Sequence, residues 1–164
     1  MINQTFPIAE RLATNGLMLI AQLQQLLNDE AELLKTGAQI TEINAIVEKK
    51  QPLIYQLNQF SRQMAQVLTT ETLPNDQNGM LQYLEKAKAT GLTSDNMRQL
   101  WTDIIQTTQH CQDLNEQNGA SIDILRRHTQ RSLYILKGNT QAPNTYGKDG
   151  SAKRELHSHT LISV

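Results

Sequence analysis

The sequence predicts an all-α protein: an antiparallel helical hairpin, a short helix and one long C-terminal helix, in an elongated bundle or coiled coil followed by a flexible tail. Three observations predict this. The 164 residues are 38% hydrophobic but only 4% aromatic, and are rich in Leu, Ile, Gln, Ala and Glu, which favours helices over strands. Apolar residues recur at spacings of three and four along most of the chain. No strand pattern of useful length and no internal repeat interrupts them.

The first helix runs from Ile8 to Lys35, where Leu12, Leu19, Leu23, Leu26, Leu27, Leu33 and Leu34 trace one face and Gly16 and Glu30 fall at its seams. Thr36-Gly37 ends it, with Gly37 supplying the left-handed residue after the last turn. A second stripe follows at once through Ile40, Ile43, Val47, Lys50, Ile54, Leu57, Ser61, Met64 and Leu68. Pro52 lies inside it and removes one backbone hydrogen bond. The stripe keeps its phase across the proline, which predicts a kink near Glu48 rather than a break. The short connection makes the two helices an antiparallel hairpin. Glu30 and Lys50 either pair across the hairpin or snorkel, and a hairpin turning near Gly37 brings Glu30 closer to Ala45, so the register argues against a direct contact.

The stretch TTETLPNDQNG (69–79) is predicted as a loop, and MLQYLEKAKATG (80–91) as a helix of about three turns stopped by Gly91. Thr93, Ser94 and Asp95 are capping residues for the last helix. From Met97 its stripe runs through Trp101, Ile104, Thr108, Cys111, Asn115, Asn118, Ile122, Leu125, Thr129, Leu133 and Leu136. Within it, DLNEQNG (113–119) contains Asn-Gly, among the strongest turn signals in any sequence. A turn there would reset the stripe, and the stripe is not reset. One helix of more than 40 residues, about 65 Å long, is predicted, ending at Lys137 and Gly138. Asn115, Asn118 and Gly119 then form a polar, small-residue layer in a helical seam. Such a layer either sets the register of packing, as a buried Asn does in coiled coils, or leaves a dent where a partner's backbone approaches.

Residues 1–138 form the predicted helical domain and 139–164 a tail rich in turn formers, with Tyr146 and the terminal LISV as its apolar features. The formal net charge of -1 gives no footprint for nucleic acid or an anionic membrane. Cys111 is the one cysteine, which excludes an internal disulfide and a Cys-rich metal site. No Glu is followed three residues later by His, as a di-metal carboxylate bundle requires. No catalytic constellation and no cofactor site is expected. The N-terminus lacks the basic start and apolar run of a signal peptide, and the longest apolar stretch, GLMLIA (16–21), is too short to span a bilayer. A cytoplasmic location follows as the expectation.

The run LNEQNGASIDILRRHTQRSLYILKG (114–138), followed by TYGKDG (145–150), resembles the FlgN family. In that family an N-x-x-N-G element lies in the last helix and a Y-G-x-D-G element in a mobile tail. Glu30 and Lys50 also stand at the family's usual places. The resemblance implies a cytosolic chaperone for flagellar type III export. Such chaperones bind the C-terminal regions of the hook-filament junction proteins FlgK and FlgL, keep them from self-associating and deliver them to the export gate. It further implies that Tyr146, with Gly147, Asp149 and Gly150, touches the export-gate protein FlhA, although Thr145 stands where a leucine is common. The implied client-binding region is the C-terminal half of the last helix: Asn115, Asn118, Gly119, Ile122, Leu125, Leu133, Tyr134 and Leu136. A coiled-coil adaptor forming a stable homodimer is the alternative, and a chaperone free of client is also able to dimerise.

Overall fold

The computed structural model describes residues 1–136, with side chains through Leu133. Among them are four helices and no strand: α1 (Ile2–Thr36), α2 (Ile40–Thr70), α3 (Gln77–Ala89) and α4 (Asp95–Leu136). Met1–Ile122 form one compact unit, and a second begins at Asp123. The expected end of α4 at Lys137 and Gly138 and the expected tail lie outside the described residues.

α1 starts at Ile2, earlier than the Ile8 predicted, and carries Pro7 inside it. Pro7 lies past the first turn, so it withholds the amide that would donate to the Asn3 carbonyl, one hydrogen bond from the end of the helix. Ile2, Phe6, Ala9, Ala13, Gly16, Ile20, Leu27, Glu30 and Leu34 are buried, in alternating steps of four and three that the half-buried Leu23 completes. This is a coiled-coil seam. It corrects the predicted stripe, because Leu12, Leu19, Leu26 and Leu33 are half-buried flanks. The centre belongs instead to small residues that admit large neighbours. A Cβ on Gly16 would stand 2.7 Å from the Phe60 ring, so the ring occupies the space that a side chain would need.

Gly37 ends α1 with φ 69°, and the Ala38 amide donates to the Leu33 carbonyl at 3.0 Å. α2 then runs through Pro52 as one helix. Its core residues are Ile46, Met64, Val67 and Leu68, while the predicted Ile40, Val47 and Ser61 are exposed. Ile43, Lys50, Ile54 and Leu57 of the predicted stripe are half-buried, and the correction in the first half of α2 is that Ile46 takes the inward place given to Val47.

α3 begins at Gln77, inside the stretch predicted as a loop. The Asp76 carboxylate accepts the Gly79 amide at 2.8 Å, a capping contact that starts the helix. Asn78-Gly79 is thus a helical pair. Glycine is required there by close approach, since a Cβ at Gly79 would stand 1.8 Å from the Pro74 carbonyl oxygen. Met80, Tyr83, Leu84 and Ala87 bury the inner face of α3, and the Tyr83 ring stacks on Phe6 at 6.4 Å between centroids.

A polar network fastens this end. The Thr5 hydroxyl donates to Glu71 Oε1 at 2.8 Å, the Tyr83 hydroxyl donates to Thr5 Oγ1 at 3.2 Å, and Lys86 Nζ meets Glu71 Oε2 at 2.6 Å. Burial pushes the Glu71 carboxyl up, but hydrogen bonds from Lys86 and Thr5 and the Lys86 charge outweigh it and hold its pKa below the usual value.

α4 starts where its capping residues predicted, with the Arg98 amide donating to the Ser94 carbonyl at 2.9 Å. Its buried residues Met97, Ile104, Cys111 and Asn118 recur every seven positions. Asn96 bonds Glu10, the Cys111 thiol donates to the Ile20 carbonyl, and Asn118 bonds the Leu27 carbonyl. These pairs ascend together, so within this unit α1 and α4 run parallel. A core of α1, α2, α3 and α4 residues surrounds Phe6, Met64, Tyr83 and Met97, and a smaller cluster joins Ile20, Leu27 and Cys111. Burial raises the Cys111 thiol pKa to about 11.

Candidate functional site

The polar layer predicted in α4 resolves into one buried residue and two exposed ones. Asn118 is 3% exposed, whereas Asn115 and Gly119 face solvent. The seven-residue seam explains the difference: after Cys111 it reaches Asn118, and the flank between them is taken by Leu114, which packs against the Ile20 cluster. An apolar side chain competes better than Asn115 for that position. Among the described residues nothing lies within 4 Å of where a Gly119 Cβ would be, so none of them requires a glycine there.

Asn118 is the α4 contribution to a buried three-helix junction. Its amide donates to the Leu27 carbonyl and to Glu30 Oε2, each at 2.9 Å. Lys50 Nζ donates to both oxygens of the same carboxylate, at 2.7 and 2.8 Å. Glu30 is 1% exposed, and its charge is compensated by a bidentate ammonium and an amide. The contact between Glu30 and Lys50 corrects the register argument. Helical side chains lean toward their own N-terminus. Thr5 meets Glu71 and Gly16 meets Phe60 across the hairpin, a register that leaves the Lys50 backbone about a turn from Glu30. The long Lys50 stem leans back over that turn. Attention to side-chain direction would have found the pair.

The remaining predicted residues fall into two groups. Ile122 closes the first unit and is 37% exposed. In the second unit Leu125 and Leu133 are exposed, at 40% and 49%, and so is Ile124, which the stripe omitted because it lies on another row of the helix. Arg126, Arg127, His128 and Arg131 are exposed among them. Tyr134 and Leu136 belong to the last turn of α4, but their side chains lie outside the described residues, as do Tyr146, Gly147, Asp149 and Gly150.

The described residues hold no group of three or more His, Cys, Asp or Glu able to bind a metal ion, and no helix long and apolar enough to cross a membrane. What the arrangement offers is surface: exposed apolar and basic side chains on α4, and a buried polar junction that fixes the register of α4 in the first unit.

The family model described as FlgN protein matches residues 10–154. Two curated relatives, the flagella synthesis proteins FlgN of Salmonella typhimurium and Salmonella typhi, are each 32% identical over 89 residues. That match covers 51% of this chain and 63% of each relative, so the chain spans less than two thirds of their length. No solved structure matches the chain. With the family model covering most of its length, including α2, α3, α4 and most of α1, this chain belongs to the FlgN family.

Proposed function

We propose that the chain is a cytoplasmic, non-enzymatic chaperone of flagellar type III export. It binds the C-terminal helical regions of FlgK and FlgL, keeps them from self-associating and delivers them to the export gate. The observation that carries this reading is the exposure of Leu125 and Leu133 on the last helix of a FlgN-family chain. Exposed leucines recurring along a helix are what a client helix needs when it lays its own apolar face down. Burying about 1,000 Å² of apolar surface contributes on the order of 25 kcal/mol gross, most of it offset by ordering, which leaves micromolar to nanomolar binding. The other client-binding residues of this reading are Ile122, Tyr134 and Leu136, with Asn115, Asn118 and Gly119 named by the family resemblance. Tyr146, with Gly147, Asp149 and Gly150, docks on FlhA.

Titration calorimetry of the full chain with C-terminal fragments of FlgK and FlgL from the same organism tests the proposal. The expected result is one-to-one binding to at least one fragment, lost in Leu125→Asp/Leu133→Asp. No heat from the folded chain, together with concentration-dependent sedimentation, would replace the chaperone with a homodimeric adaptor. Unchanged binding by the double variant would move the client surface elsewhere.

A further inference from the structure

We infer that the stretch from Asp123 to Leu133 of α4 seats a helix of acidic character, one with Asp and Glu flanking its apolar stripe. The inference rests on the client-binding reading and names the chemistry that a client must carry.

Charge is divided unevenly between the two units. Residues 1–122 hold eight Lys and Arg against thirteen Asp and Glu, whereas residues 123–164 hold seven against three. The near-neutral total conceals an acidic first unit and a basic second one. Within the described part of the second unit the charges are Arg126, Arg127 and Arg131 against Asp123 alone. None of the four ion pairs among the described residues involves these arginines. Arg127 Nε donates instead to the Asp123 carbonyl, at 3.4 Å.

The arginines are interleaved with the apolar residues. Leu133 lies seven positions after Arg126, and Arg131 seven after Ile124, so each pair shares a row two turns apart. Leu125 lies eight positions before Leu133, on the neighbouring row. A helix that lies in a lipid interface has one apolar face and a basic face opposite it. Here Leu133 has Arg126 in its row and Ile124 has Arg131, so arginines stand beside apolar residues on two sides of the helix, which suits another helix with carboxylates beside its apolar residues. Guanidinium forks take carboxylates in bidentate geometry. The acidic first unit repels the same ligand, so the charge pattern steers it to the second.

The test uses the full chain and two designed amphipathic helical peptides with identical apolar positions, one flanked by Glu and the other by Lys. The chain is expected to bind the Glu peptide about tenfold or more tightly than the Lys peptide at low salt, a preference that shrinks as salt rises. Arg126→Gln/Arg127→Gln/Arg131→Gln, shown to be helical by circular dichroism, is expected to lose about tenfold in affinity and most of the salt dependence. Equal binding of the two peptides, or an unaffected triple variant, overturns the inference. Arginine-dependent binding to phosphatidylglycerol vesicles without a preference for the Glu peptide also overturns it and assigns the surface to a membrane. FlgK or FlgL fragments that bind the triple variant as tightly as the parent chain would sink the acidic specificity and leave the chaperone reading intact. Preference for the Glu peptide with no binding of either fragment would uphold the specificity and remove those clients.

Discussion

Asn118 and Glu30 are 88 positions apart in sequence and 2.9 Å apart in the fold, and the carboxylate they share with Lys50 joins three helices at one buried point. Buried charges of this kind specify an arrangement more than they stabilise it. Desolvating both ions costs several kcal/mol each, which their attraction only roughly repays. The junction therefore explains why α4 carries an asparagine in an otherwise apolar seam: Asn118 is satisfied in one register against α1 and would be orphaned in the others.

Removing one partner of the junction should be worse than removing both ions. Glu30→Ala leaves Lys50, whose side chain is 12% exposed, without its carboxylate and should cost about 3–5 kcal/mol. Glu30→Leu/Lys50→Met should come within about 1 kcal/mol of the parent chain or exceed it. Urea unfolding of the three proteins decides the matter, and a double variant no more stable than Glu30→Ala would show that the loss does not come from an unpaired Lys50.

The two Asn-Gly pairs should respond oppositely to the same change. Gly79→Ala forces the Pro74 carbonyl away and should destabilise by about 2 kcal/mol or more. Gly119→Ala enters open space in mid-helix and should stabilise by about 0.5–1 kcal/mol. Thermal melts read both. A Gly119→Ala chain that is more stable but binds client more weakly would show that the glycine is kept for a partner's close approach.

The Gly16 site should tolerate bulk only if Phe60 yields. Gly16→Val overfills the contact and should cost about 1–3 kcal/mol, and Phe60→Ala in the same chain should recover part of the loss. Purely additive losses would mean that the ring is not what excludes the side chain.

Stability should depend on pH through Glu71. Its native pKa is depressed, so the stability it contributes is present above its ordinary value of 4.5 and is lost as pH falls through the lowered native value. Lys86→Gln removes the leading stabilising partner and leaves only the Thr5 hydrogen bond and the distant N-terminal charge to oppose the effect of burial on Glu71. The stability gap between parent and variant should be largest near pH 7 and narrow below 4.5. Urea titrations at several pH values measure it, and a gap constant with pH would show that Lys86 acts by packing alone.

Much of this architecture is legible in the sequence, for reasons that also explain the misses. The unbroken α4 follows from phase, which persists through Asn118-Gly119 because a helix that neither stops nor turns cannot change phase. Gly37 announces the end of α1 because a left-handed residue admits few alternatives. The α1 seam was misplaced because hydrophobicity marks Leu12 and Leu19, whereas burial favours Ala9, Ala13 and Gly16, whose smallness matters only once Phe60 stands opposite. The Glu30–Lys50 contact needed side-chain direction as well as register. At the candidate client surface the leucines were legible and their exposure was not, because periodicity does not say whether a stripe is covered.

The parallel course of α1 and α4 has a consequence for synthesis. As the chain leaves the ribosome, α1 and α2 can pair early, since only a short turn separates them. The partners of Ile20 and Leu27 on α4 lie 91 residues downstream, so that side of the α1 seam waits uncovered until most of the protein has been made. The nascent hairpin is thus a sticky intermediate, prone to premature association until α4 arrives. The chain itself therefore passes through an interval of unshielded surface during its own synthesis.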